Sequence, residues 1–169
     1  MKAIKGTSSE RMIRIRQNIS KDRFLEKEGA NHMMEVVRIL DGVSYVNHSS
    51  AVDLDAVWYA MEKTQGPIVW ICGGAYRPQD FSMLHEIVAD KVSSMICIGK
   101  PYKEFFTLFN SHGPRILVNA TTMHEAVEHA KTLAKPGMVV LLAPGYAGYD
   151  MFEGYEDRGQ KFKEEVAKL

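Results

Sequence analysis

Four short apolar runs, PIVWICGG, SSMICIG, RILVNA and GMVVLLAPG, recur through the second half of the chain, with segments of helical character between them at 80–90, 101–112 and 122–135. Runs that are apolar on both faces leave no side for water, so each is expected to be a strand held between two layers. Strands of this kind alternating with helices indicate a parallel sheet covered on both faces. The expected fold is therefore α/β, a doubly wound, mostly parallel, Rossmann-like sheet that takes ligands beyond the carboxyl ends of its strands. Upstream, MMEVVRILDGVSYVN reads as two more strands around Asp41-Gly42, a dipeptide suited to a type I′ turn. This antiparallel hairpin is expected at the sheet edge.

Local punctuation supports the same layout. Thr121 or Thr122 can cap the helix whose apolar stripe is Ala126, Val127, Ala130 and Leu133, and Lys135-Pro136-Gly137 ends it. Asp80, approached through Pro78, suits the N-cap of the helix that follows it at 80–90. A chain of 169 residues buries one sizeable core, which places an α/β domain at 26–169 behind a basic arm or helix at 1–25. In that arm Lys2, Lys5, Arg11, Arg14, Arg16, Lys21 and Arg23 face only Glu10 and Asp22, and no aromatic residue interleaves them before Phe24. It reads as a solvated or frayed segment rather than a nucleic-acid contact.

Over the whole chain Lys+Arg and Asp+Glu are 21 each, which removes any general electrostatic ground for nucleic acid or an anionic membrane as partner. Cys72 and Cys97 lie inside strand-like runs and read as small core residues of a reducing compartment. No stretch approaches the roughly 18 apolar residues of a membrane span, and no leader pattern opens the chain. A soluble cytoplasmic protein is expected.

The motifs that would announce nucleotide chemistry are missing from the sequence, which has neither G-x-x-x-x-G-K-[ST] nor G-x-G-x-x-G after a strand. Gly73-Gly74 would let the backbone turn sharply or approach a ligand, and serves a plain strand-to-loop turn equally well. Arg77 stands just past that strand, where a guanidinium could grip a carboxylate or phosphate, or simply be solvated. After the last strand, Phe152 and Phe162 read as packing residues, while Tyr146, Tyr149 and Tyr155 suit either packing or a substrate loop. His124 and His129 are five apart and face different sides of a helix, so no metal pair is expected. His32 and His48 are single residues of the kind that is usually structural or solvated, and no Cys-His or Ser-His-Asp set is specified by spacing.

Three stretches read together carry a resemblance. Asn31-His32-Met33-Met34-Glu35 stands where one family has H-R-[LM]-E, and Gly42 to Asn47 leads to a loop that the family writes D-S-K-A-T-N. The tail AKPGMVVLLAPGYAGYDMFEGYEDRGQKFKE follows K-P-G-D-x-V-L-L-S-P-A-x-A-S-x-D-x-F-x-x-[FY]-x-x-R-G-x-x-F. From about residue 12 to its end the chain resembles the C-terminal domain of the Mur ligase family, closest to the D-glutamate-adding branch. In that family this is the third of three domains. The central one carries the P-loop and Mg²⁺, ATP turns a carboxylate into an acyl phosphate, and the C-terminal domain delivers the D-glutamate whose amine attacks.

The resemblance implies a place in peptidoglycan precursor synthesis. It also implies no cofactor in this chain itself, ATP and Mg²⁺ belonging to a central domain that completed it. Against D-S-K-A-T-N the chain reads His48-Ser49-Ser50-Ala51-Val52-Asp53: the aspartate has become His48, the lysine Ser50, the threonine Val52 and the asparagine Asp53, which adds a like charge. Arg77 replaces a lysine with its charge kept, Gly148 replaces a serine, and Tyr155 keeps an aromatic partner. A desolvated carboxylate without partners costs on the order of 3 kcal/mol or more. The implied pocket of His48, Ser49, Ser50, Arg77, Gly148 and Tyr155 is thus a degenerate one, in which Arg77 and Tyr155 could keep a weak anion site.

Three readings stand at this point. The leading one is a stand-alone domain without catalytic or metal-binding residues that acts by binding, either to a Mur ligase central domain or other protein or to a small anionic metabolite. The alternative is the D-glutamate-binding C-terminal portion, fragment or subunit, of an active ligase. The third is a doubly wound module for another nucleotide or acyl carrier, using Gly73, Gly74 and the 144–149 loop.

Overall fold

The computed structural model describes residues 30–74, 79–99, 102–109, 113–114, 116–147 and 151–169. The basic arm at 1–25, Arg77 and Gly148 lie outside them. Among the described residues, β1 (Glu35–Leu40), β2 (Val43–Asn47), β3 (Ile68–Gly73), β4 (Val92–Ile98), β5 (Ile116–Ala120) and β6 (Val139–Leu142) form one sheet in the order β1-β2-β6-β3-β4-β5. Only the β1–β2 pair is antiparallel. The fold is the doubly wound α/β sheet expected from the apolar runs, with the hairpin at its edge. At the hairpin's tip Asp41 (φ 51°) and Gly42 (φ 77°) both take the left-handed conformation that a type I′ turn demands.

Strand β3 shows why these runs lack polar residues. Ile68, Trp70 and Cys72 face one core, and Val69 and Ile71 face the other. The first core is covered by α1 (Leu54–Lys63), by α2 (His85–Lys91) and by Phe109 at the end of α3 (Tyr102–Phe109); the second by α4 (Met123–Leu133) and α5 (Tyr155–Lys168). Cys72 and Cys97 are buried, free, and opposite one another across β3 and β4. No helix among the described residues is long and apolar enough to cross a membrane.

Helix ends follow their sequence signals with one difference among the described residues. The segment expected as a helix at 80–90 opens as a 3₁₀ turn at Phe81–Leu84, and the segment at 101–112 is helical over Tyr102–Phe109. Asp80 accepts from Ser82 N–H at 3.0 Å. Of the two threonine candidates it is Thr122 that caps α4, accepting from Glu125 N–H at 3.1 Å, while Glu125 Oε2 accepts from both Thr121 N–H and Thr121 Oγ1 at 2.7 Å. At the far end of α1, Lys91 Nζ donates to the carbonyls of Met61, Glu62 and Thr64 at 2.9, 2.9 and 3.0 Å, placing a cation on the negative pole of the helix.

Chain direction positions the candidate site. From β2 through β3 and β4 to β5 the connections pass over one face; the chain then returns through α4 on the other face and inserts β6 between β2 and β3. The carboxyl ends of β2, β6 and β3 therefore adjoin at the reversal of strand order, the place where open α/β sheets take ligands.

Candidate functional site

Asn47 closes β2, and its buried side chain organises the loop that leaves the strand. Its Oδ1 accepts from Ser49 N–H at 3.1 Å, and its Nδ2 lies 3.0 Å from His32 Nδ1 and 3.1 Å from Glu35 Oε2. Glu35 Oε2 also accepts from His32 N–H at 3.0 Å, and Glu35 Oε1 from Lys163 Nζ at 3.1 Å. Burial pushes the Glu35 carboxyl up, but the His32 N–H, the Lys163 ammonium and the Asn47 amide outweigh it and hold the group below its usual range. His32 sits at φ 62° and Met34 at φ 49°, a strained approach for residues with side chains. It is held in place by Ser50, whose N–H and Oγ both donate to His32 O, at 3.1 and 2.9 Å.

The loop is tied to its neighbours as well. His48 N–H donates to Leu142 O at 2.8 Å and extends the β2–β6 ladder, and Gly145 N–H donates to Ala51 O at 2.8 Å. Ser49 Oγ donates to Tyr155 O at 2.7 Å and accepts from Arg158 Nε at 2.9 Å; Ser49 O accepts from Arg158 Nη2 at 2.8 Å. Asp53 Oδ1 accepts from Ala56 N–H at 2.9 Å, so the carboxylate expected to add a like charge to a ligand site also serves as the N-cap of α1. His48 is fully buried, and neither ring nitrogen has a hydrogen-bond partner among the described residues. Burial lowers its pKa to about 4, against the opposing pull of Asp53.

Of the six residues named for the degenerate pocket, four are described. Ser49, Ser50 and Tyr155 come together around His32 and the start of α5, Tyr155 presenting its ring edge-on to His32 with centroids 6.3 Å apart. His48 lies inside, behind them. The exposed apolar side chains here are Val52 on the loop and Tyr155 at the start of α5, 40% and 38% exposed. With His32 and Glu35 in register with the family pattern, its arginine falls on Met33, which packs against the first core. Tyr146, left open by the sequence, is core: it is buried, with its ring centroid 5.8 Å from that of Phe81. Phe152 and Phe162 are buried in the second core. His124 pairs with Glu165 at 2.9 Å. Among the described residues no group of three or more His, Cys, Asp or Glu side chains could hold a metal ion.

Two members of this constellation stand in the family pattern, but what they bond is not evident from the sequence. His32 has the look of a solitary histidine there and is the acceptor on which the loop is hung. Arg158 has the look of one more charge on a surface helix and is buried; the glycine beside it inside α5 is the local cue.

No protein-family model matches the chain. Among curated proteins it is similar to the UDP-N-acetylmuramoylalanine–D-glutamate ligase of Christiangramia forsetii, with 34% identity over 167 residues, 99% of this chain and 37% of that protein. The ligase of the same name from Salinibacter ruber is 35% identical over 161 residues, 95% of this chain and 35% of that protein. That of Cytophaga hutchinsonii is 38% identical over 140 residues, 83% and 31%. The chain thus spans about a third of the length of the relatives it matches. Among solved structures, a murein peptide ligase from Psychrobacter arcticus shares the fold at 12% identity and a TM-score of 0.54, over 80% of this chain and 30% of that one.

Proposed function

We propose that the chain, similar over nearly its whole length to about a third of UDP-N-acetylmuramoylalanine–D-glutamate ligases, is a binding domain of the Mur ligase C-terminal type whose strand-end loop has exchanged the grip on an acidic amino acid for bonds within the protein. The observation that carries this reading is Ser50. At the family's lysine position stands a side chain whose hydroxyl, together with its own N–H, donates to His32 O. Met33 and Val52 remove an arginine and a hydroxyl from the same neighbourhood. A dicarboxylate brought here would lack the cations that offset its desolvation. At the family's positions the sequence keeps the charge of Arg77 and the aromatic Tyr155 for a small anion or a partner's acidic side chain, and a Mur ligase central domain is the partner the family relationship suggests.

Amide-bond formation of the family's kind needs an activated carboxylate, and the sequence offers no phosphate cradle. ATP and Mg²⁺ accordingly belong to a central domain if one joins this chain. The second reading, the D-glutamate-delivering portion of an active ligase, is favoured by the names of the relatives, which match up to 99% of the chain. Incubation with ATP, Mg²⁺, UDP-N-acetylmuramoyl-L-alanine and D-glutamate separates the two. The chain alone, and the chain added to a cognate ligase lacking its C-terminal third, are both expected to give no product. Product only in the complemented reaction supports the second reading, and product from the chain alone overturns the first.

A further inference from the structure

We infer that Arg158 is a positioning residue that locks the strand-end loops of the proposed binding face to one another; the inference rests on the reading above only in treating 47–51 as a ligand loop. On α5 its neighbours Glu156, Gln160 and Lys161 are exposed, whereas Arg158 is 1% exposed. A guanidinium taken out of water is costly unless its donors are met, and an apolar side chain of similar size would fill the space at less cost. Its donors meet a specific set of acceptors. Nε and Nη2 bond Ser49 Oγ and Ser49 O at 2.9 and 2.8 Å, and Nη1 bonds Tyr146 O at 2.8 Å. Nη1 also lies 3.4 Å from where a Cβ on Gly74 would stand, and Gly74 is at φ 137°.

One rigid planar fork therefore bonds the segments that come after β2 and β6 and leaves no room for a side chain at Gly74 after β3. The flat five-donor geometry fixes both distance and angle between the loops, which a lysine ammonium on a flexible stem cannot do. Arg158 acts through Ser49 and Tyr146 and sets the spacing of the face that a ligand meets.

Hydrogen exchange on the full chain, with no ligand added, tests this independently of what the loop binds. In Arg158→Lys, amides at 48–52 and 145–147 are expected to exchange roughly tenfold faster or more, the loss of a charged hydrogen bond, while Ile71 and Ile96 in the sheet centre exchange as in the parent. A uniform rise across sheet and loops, or unchanged loops, overturns the inference. Should Arg158→Lys fail to fold, Ser49→Ala removes one acceptor of the guanidinium, together with the Ser49 bond to Tyr155 O. Loosening of 145–147 on the far side of the guanidinium is then the expected result, and a change confined to 48–52 contradicts the bridge.

Discussion

Between pH 6.5 and about 4 the fold is expected to lose about 3 kcal/mol of stability through His48. The sign comes from burial. In the unfolded chain the imidazole takes a proton near its ordinary pKa, whereas in the folded protein desolvation delays protonation to about pH 4. Across that window the unfolded state binds more protons, so stability falls as pH falls and changes no further below it. His32 is lowered as well, mainly by burial and then by Lys163, and contributes in the same direction. Glu35, lowered, loses its contribution only as pH falls below the ordinary carboxylate range. Urea unfolding at a series of pH values, compared with His48→Leu, isolates the histidine. The variant should have a distinctly flatter profile and be at least as stable at pH 7, because it removes two buried nitrogens without partners. An unchanged profile in His48→Leu would rule out this source.

Gly159→Ala is expected to destabilise by about 3 kcal/mol, although alanine inside a helix ordinarily gains about 1 kcal/mol over glycine. A Cβ at Gly159 would overlap His32 Nδ1 and lie 2.9 Å from Cε1 and 3.0 Å from Cγ. The ring has little room to retreat, because Ser50 holds the His32 carbonyl and the Asn47 amide lies against Nδ1. Unfolding of Gly159→Ala, His32→Ala and the double variant checks it. The double variant should be clearly more stable than the sum of the singles predicts. A stabilising Gly159→Ala would mean that α5 does not press on His32 in this way.

The sheet is readable in the sequence because burial on both faces forces continuous apolar runs, and the hairpin because Asp41-Gly42 supplies the two left-handed residues of its turn. The position of β6 is not. Val139–Leu142 is apolar on both sides and so central, but nothing in those four residues says that the last strand lies between β2 and β3. In the site, the family pattern locates Ser49, Ser50 and Tyr155 but not what they bond. The partner of Ser50 is a backbone carbonyl 18 residues earlier, and carbonyls leave no mark in a sequence. Asp53 reads as a charge set against a ligand, yet its first duty is to the start of α1. The family pattern includes Arg158, but its exposed charged neighbours hide its burial; a glycine inside a helix next to an arginine signals close approach by another part of the chain, here His32.

Whether the loop has left D-glutamate behind is decided by titrating D-glutamate into the full chain and into Ser50→Lys/Val52→Thr, with heat of binding as the readout. No saturable heat in the millimolar range for the parent chain, and measurable binding by the variant that restores the lysine and the hydroxyl, is the predicted result. Saturable micromolar binding of D-glutamate by the parent chain would contradict it.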